Sequence, residues 1–187
     1  MKLPDIRALL QAAEGARSHA STFFAAAILA LTFALPQSIG AQEPQSMAIR
    51  FAGGETIVES ETGIDHVVVR DAGGKTTAES WCDSGTFSAY QALFTSLKEA
   101  AVQNHRAALA KLFSYPLRVN GSKILTVRSE ASLLNTYDEV FTKKVLDEIQ
   151  SAEPAAVFCR NGLGMLGNGV VWADASAGDA KVVVVNQ

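Results

Sequence analysis

The hydrophobic period of the chain changes near Asp83, and that change limits the folds open to it. Before it, apolar residues cluster in short stretches, Met47 to Ile49 and Val67 to Val69, each running into a glycine pair. Arg50 to Ser60 aligns with Arg70 to Ser80 at a spacing of 20 residues, with Gly53-Gly54 and Gly73-Gly74 at matching places. A glycine pair supplies the positive φ that a tight strand reversal needs, so the repeat predicts two similar β-hairpins over 46–81. Two copies are too few for a stacked-repeat architecture.

From Asp83 onward the period becomes about 3.6 residues. Asp83 or Ser84 can cap a helix that places Phe87, Tyr90, Phe94, Leu97 and Ala101 on one face. Asn104 reads as the next cap, opening a short helix through Ala108, Leu109, Leu112 and Phe113. Tyr115 to Val119 and Lys123 to Val127 flank Asn120-Gly121, the strongest hairpin signal in the chain. Asn120 to Ser122 also matches a glycosylation sequon, which the turn explains without a glycan. Ser129 to Leu134 predicts one helical turn. Asn135 or Thr136 then caps a longer helix with Val140, Phe141, Val145 and Ile149 at core spacing, closed by Pro154. Three strands follow, Ala155–Arg160, Gly169–Ala173 and Lys181–Val185, separated by glycine-rich turns. Helices followed by a run of strands indicate α+β, not alternating α/β.

Residues 1–41 read as an export signal. Lys2, Arg7 and Arg17 make a loosely basic start, and Ser21 to Leu35 is uncharged and apolar before the break at Pro36. That run is about 14 residues, within the range of a signal-peptide core and short of the roughly 20 that span a bilayer. Ser38, Ile39, Gly40 and Ala41 suit cleavage after Gly40 or Ala41, and residues 42–45 read as a polar linker. The expected location is periplasmic or secreted, with no stable membrane insertion once the signal is removed.

The remaining part, about 146 residues, suits one α+β domain over 46–187, made of the hairpin repeat and a core over 83–187. The formal charge of −3 is spread singly, with no basic stripe, which argues against nucleic acid as a partner. Cys82 and Cys159 are the two cysteines. An even pair in an oxidising compartment predicts a disulfide, the alternatives being two separate buried thiols or half of a metal site.

Gly162, Gly164 and Gly167 formally match the dinucleotide-binding spacing. That motif must open a helix whose N-terminal amides hold a pyrophosphate, whereas Asn168-Gly169 leads into the strand of Val170 to Trp172. No nucleotide or other cofactor is expected. His66 and His105 lack a second ligand at helical spacing, so no metal site is expected either. Ser84 lacks a nucleophile-elbow pattern.

The C-terminal half carries a group that could line a small-molecule pocket: Tyr115, Arg118, Tyr137, Asp138, Phe141 and Trp172, with Arg128 nearby. Asp138 is the candidate catalytic residue, a general base if burial raises its pKa. The competing reading is an ordinary core with surface charges.

Over residues 86–186 the order of elements resembles the cone fold of nuclear transport factor 2-like proteins. The likeness is carried by the helix pair, Tyr115 to Val119, Tyr137 to Phe141, and the glycine-rich turn into Val170 to Trp172. It implies helices packed into a strongly bent antiparallel sheet, with residues 46–81 as an addition. Such proteins include isomerases, dehydratases, polyketide cyclases and non-catalytic binding domains. The Asp/His pair of the dehydratases has no counterpart here.

Three functional readings follow. The first is a non-catalytic periplasmic domain that binds a small molecule, a cell-wall fragment or a protein. The second is a lyase, isomerase or hydrolase using Asp138. The third is an inhibitor or immunity protein presenting Gly162–Gly169 as a loop to a secreted enzyme. A homodimer is compatible with all three.

Overall fold

A computed structural model describes residues 45–83 and 85–187. The export signal, the cleavage region and most of the 42–45 linker lie outside the described residues. Gln45 already belongs to the first strand, so the linker expectation is one residue too long.

Four strands open the fold: β1 (Gln45–Phe51), β2 (Gly54–Glu61), β3 (Ile64–Asp71) and β4 (Thr76–Asp83). They form an antiparallel meander in the order β1-β2-β3-β4. Both glycine pairs sit at reversals, as their repeat requires. Gly54 has φ +154° and stands against the Arg70 carbonyl, where a Cβ would lie 1.9 Å from the oxygen. The second turn is fastened by Asp71, whose Oδ1 accepts the N–H groups of Gly73 and Lys75, both at 3.0 Å. Thr62-Gly63 adds a third reversal that joins the two hairpins into one sheet.

Five helical segments and a β-hairpin come next: α1 (Thr86–Val102), α2 (Arg106–Ala110), β5 (Phe113–Asn120), β6 (Ile124–Val127), α3 (Glu130–Asn135), α4 (Tyr137–Val140) and α5 (Lys143–Ser151). Phe87, Tyr90, Phe94, Leu97 and Ala101 are all buried on α1, together with Leu93 and Ala100. Phe113 opens β5 and is not part of the second helix, while Asn104 takes φ +51° outside it. The single helix expected after Thr136 is two. Phe141 leaves helical geometry at φ −97° and ψ 71°, and Thr142 restarts the chain by accepting the Val145 N–H on its side chain. The break lets both Phe141 and Val145 point into the core.

The chain ends in β7 (Phe158–Arg160), β8 (Leu163–Leu166), β9 (Val171–Asp174) and β10 (Lys181–Asn186). With β5 and β6 they make a six-stranded sheet in the order β6-β5-β10-β9-β8-β7. The expectation of a wholly antiparallel sheet is corrected here, because β10 runs parallel to β5. The helices α3–α5 intervene between the hairpin and the final meander. They bring the last strand back alongside β5 in the same direction, as a parallel pairing needs a long crossover.

The inner face of the first sheet is tied to the rest of the fold. Thr56, Asp65 and Ser80 are its buried polar residues, and each spends its side chain on a tie. Thr56 Oγ1 donates to the Ala155 carbonyl at 2.8 Å. Ser80 Oγ accepts the Cys159 N–H at 3.1 Å, beside the disulfide. Asp65 accepts from Ser60 Oγ at 2.8 Å and from the Gly85 N–H at 3.0 Å, fixing the entry to α1. Among the described residues no buried side-chain polar atom is left without a partner, so this face costs little to bury.

Candidate functional site

The disulfide is present: Cys82 and Cys159 are bonded, with Cα atoms 5.1 Å apart and a sequence separation of 77. It joins β4 to β7, so it links the two sheets at their neighbouring edges. The bond suggests an oxidising, extracytoplasmic location. No helix among the described residues is long and apolar enough to cross a membrane.

The six residues expected to share a pocket do different jobs. Tyr137 and Phe141 are buried and in contact, with ring centroids 4.6 Å apart and planes tilted by 38°, and Phe113 meets Phe141 edge-on at 5.6 Å. Tyr115 donates its hydroxyl to the Ala110 carbonyl at 2.8 Å, and burial pushes its pKa up to about 12. Arg118 lies exposed on β5, where Nε donates to Asn120 Oδ1 at 2.7 Å. Trp172 is half-buried on β9 and donates Nε1–H to the Gly169 carbonyl at 3.1 Å. Arg128, the neighbour considered with them, is exposed just after β6.

Asp138 lies apart from the buried aromatic residues. Its side chain is 81 % exposed and pairs with Arg106 at 2.9 Å on the surface of α4. That exposure places the carboxylate in solvent and not inside a pocket. Arg106 meanwhile lies over the Tyr137 ring at 4.2 Å. Burial raises the Tyr137 pKa, with Arg106 acting against that rise. The arrangement is a core aromatic with a charged cover.

Gly162 to Gly169 is also corrected: its centre is strand β8, paired on both sides. Each glycine of the spurious nucleotide motif has a structural duty. Gly162 takes φ +74° in the β7–β8 turn and Gly167 takes φ +59° in the next. Gly164 lets the Tyr90 ring lie directly on the strand. Leu163 and Met165 lie half-buried on one face of β8 and Gly164 and Leu166 are buried on the other, so a glycine in a core position masks the strand pattern.

Two surface features were not anticipated from the sequence. On the outer face of the first sheet, Trp81 is 61 % exposed and stacks on His66, with ring centroids 5.2 Å apart and planes 16° from parallel. His66 is held between two carboxylates, Nε2 at 2.8 Å from Glu79 and Nδ1 at 3.5 Å from Glu59. Strand register explains the assembly: Glu59 pairs with His66 and His66 with Trp81 across three neighbouring strands. A strand sequence alone does not reveal its neighbours' register, so this row was invisible beforehand.

The second feature is a groove of about 450 Å³ between the edge strand β1, helix α1 and the segment Glu153 to Ala155. Ile49, Val102, Pro154 and Ala155 give it apolar walls, and Arg50, Lys98, Glu99 and Glu153 give it a rim of mixed charge. Lys98 is partly committed, donating to the Ala152 carbonyl at 2.9 Å. None of the six residues named from sequence lines this groove.

No known protein family, curated protein or solved structure matches the chain.

Proposed function

We propose that the protein is an exported, periplasmic or secreted binding domain that recognises a glycan-containing cell-wall fragment on the outer face of its N-terminal sheet. The observation that carries this reading is the exposed indole of Trp81, backed by His66 and flanked by Glu59 and Glu79. A flat, rigid aromatic surface offers apolar contact at low entropic cost. Carboxylates beside it accept hydroxyl and amide donors, which is the complement a sugar ring with N-acetyl groups presents. In this reading His66 positions the indole and fixes the two carboxylates.

The core over residues 86–186 is proposed as a nuclear transport factor 2-like cone, supported by its order of helix pair, hairpin, helices and final meander. The parallel β5–β10 pair departs from the antiparallel sheet that the resemblance implied. The N-terminal meander is then the added element that carries recognition.

The test uses intrinsic fluorescence. Trp172→Phe leaves Trp81 as the reporting indole, since the chain holds two tryptophans. Titration with muramidase-solubilised peptidoglycan fragments is expected to give a saturable change in emission. Calorimetry on Trp81→Ala is expected to show binding weakened by at least about tenfold. Binding unaffected by Trp81→Ala, or an emission that never responds, overturns the reading.

A further inference from the structure

The N-terminal sheet has an open side at β1, whose outer edge meets no other strand among the described residues. Phe51 and Gly54 pair across a two-residue loop, which makes them a mutually hydrogen-bonded pair. Alternation then turns the N–H and C=O groups of Met47, Ile49 and Phe51 toward β2. Those of Ser46, Ala48 and Arg50 point to the open edge. Edge strands are ordinarily guarded by proline, bulges or several charges. Gln45–Phe51 has no proline, pairs with β2 without a bulge, and carries one charge, Arg50.

We propose that β1 pairs antiparallel with β1 of a second copy about a two-fold axis at Ala48, joining two four-stranded sheets into one of eight. This register sets Ala48 opposite Ala48 of the second copy and Ser46 opposite Arg50 of the second copy. Every outward N–H and C=O on the strand then meets a partner, and all seven residues of β1 overlap. An axis at Arg50 would oppose two arginines, and an axis at Met47 or Ile49 would leave strand ends unpaired.

Charge selects the same register. Within one copy Ser46 pairs with Glu59 on β2, and Arg50 pairs with Glu55. Across the axis, the arginine of one copy faces Ser46 with Glu59 directly behind it. A row of alternating charge therefore crosses the junction twice. On the opposite face Met47 comes to lie against Ile49 of the second copy, at the mouth of the groove beside α1. Met47 is 44 % exposed in the single chain and Val102, which lines the groove, is 61 % exposed, so this face has apolar surface for such a contact to cover.

The experiment is sedimentation equilibrium and multi-angle light scattering on the full chain as produced by exporting cells. The mass of two chains is expected. Ala48→Pro removes an N–H that points to the open edge and costs no bond to β2. It is expected to give a monomer with an unchanged circular dichroism spectrum. Arg50→Glu sets like charges against Glu59 of the second copy and is expected to raise the dimer dissociation constant by roughly tenfold or more. Arg50→Glu combined with Glu59→Arg is expected to restore the dimer. A wild-type chain of monomer mass overturns the proposal, as does a dimer that a folded Ala48→Pro leaves intact. Should Ala48→Pro not fold, a dimer indifferent to Arg50→Glu overturns it.

Discussion

The Tyr90 ring lies so close over Gly164 that a Cβ built there would fall 2.5 Å from Cγ of the ring. The ring cannot retreat easily, because its hydroxyl donates to the Gly162 carbonyl at 2.7 Å and the residue is 1 % exposed. One side chain thus holds α1 against β8 and fixes the β7–β8 turn.

Gly164→Ala is therefore expected to destabilise the fold by about 1–3 kcal/mol, the usual cost of overpacking a well-filled core. Entropy lost by the unfolded chain offsets a fraction of that. Urea denaturation measures the difference, and a stability equal to wild type would contradict the close contact. Tyr90→Phe keeps the ring and loses one hydrogen bond, so its expected cost is smaller, about 1 kcal/mol.

Removing the disulfide should cost more. Replacing both Cys82 and Cys159 by alanine reopens a loop of 77 residues. The chain-entropy account puts the loss at about 4–5 kcal/mol. A large fall in urea midpoint is expected, and native protein unfolded without reductant should show no reactive thiol. Superimposed denaturation curves for the two proteins would refute this.

Asp65 is buried at 4 % exposure and serves two donors, Ser60 and the Gly85 amide. Asp65→Ala strands both, at an expected cost of about 1–3 kcal/mol. Hydrogen exchange offers the sharper readout: the Gly85 amide should lose protection ahead of the rest of α1. Uniform loss across the chain would mean that the carboxylate does not act locally.

All three tyrosines of the chain, Tyr90, Tyr115 and Tyr137, have their pKa raised by burial. For Tyr115 the folded value is about 12 against an ordinary 10.0. Burial disfavours the phenolate, so between these values the unfolded chain has lost a proton that the native chain retains. Stability is then fully present below pH 10 and declines toward pH 12. Phenolate absorbance should accordingly appear together with unfolding, not before it. A native-state titration completed near pH 10 would exclude the packing described for Tyr115.

Asp138→Asn is expected to leave the fold intact and to change stability by less than about 1 kcal/mol, since its ion pair with Arg106 is exposed. Arg106→Ala should cost more than Asp138→Asn, because it also uncovers the Tyr137 ring. Equal effects of the two substitutions would assign the ion pair more weight than its exposure allows.

Much of this architecture was legible where local chemistry decides it. The glycine pairs placed two reversals, Asn120-Gly121 placed the β5–β6 hairpin, and the α1 face was correct residue by residue. Strand β8 was hidden because Gly164 is required by Tyr90, a contact 74 residues away in sequence. The parallel β5–β10 pair was hidden for a similar reason, as crossover direction depends on how α3–α5 pack and not on either strand. The arrangement of the six residues was not legible, because aromatic residues near charges describe a covered core as well as a cavity. Tyr137 beneath Arg106 is that covered core.

The covalent loop closed by Cys82 and Cys159 contains all five helices and the β5–β6 hairpin. Tension applied to the two ends of the described chain would pass from β4 through the sulfur bridge to β7 and bypass everything between. Roughly 260 Å of contour, at about 3.4 Å per residue, stays out of the load path until the bridge is reduced. A proteolytic cut in that stretch would likewise leave the two fragments in one covalent molecule. The helical part of this protein can be nicked or strained without being lost.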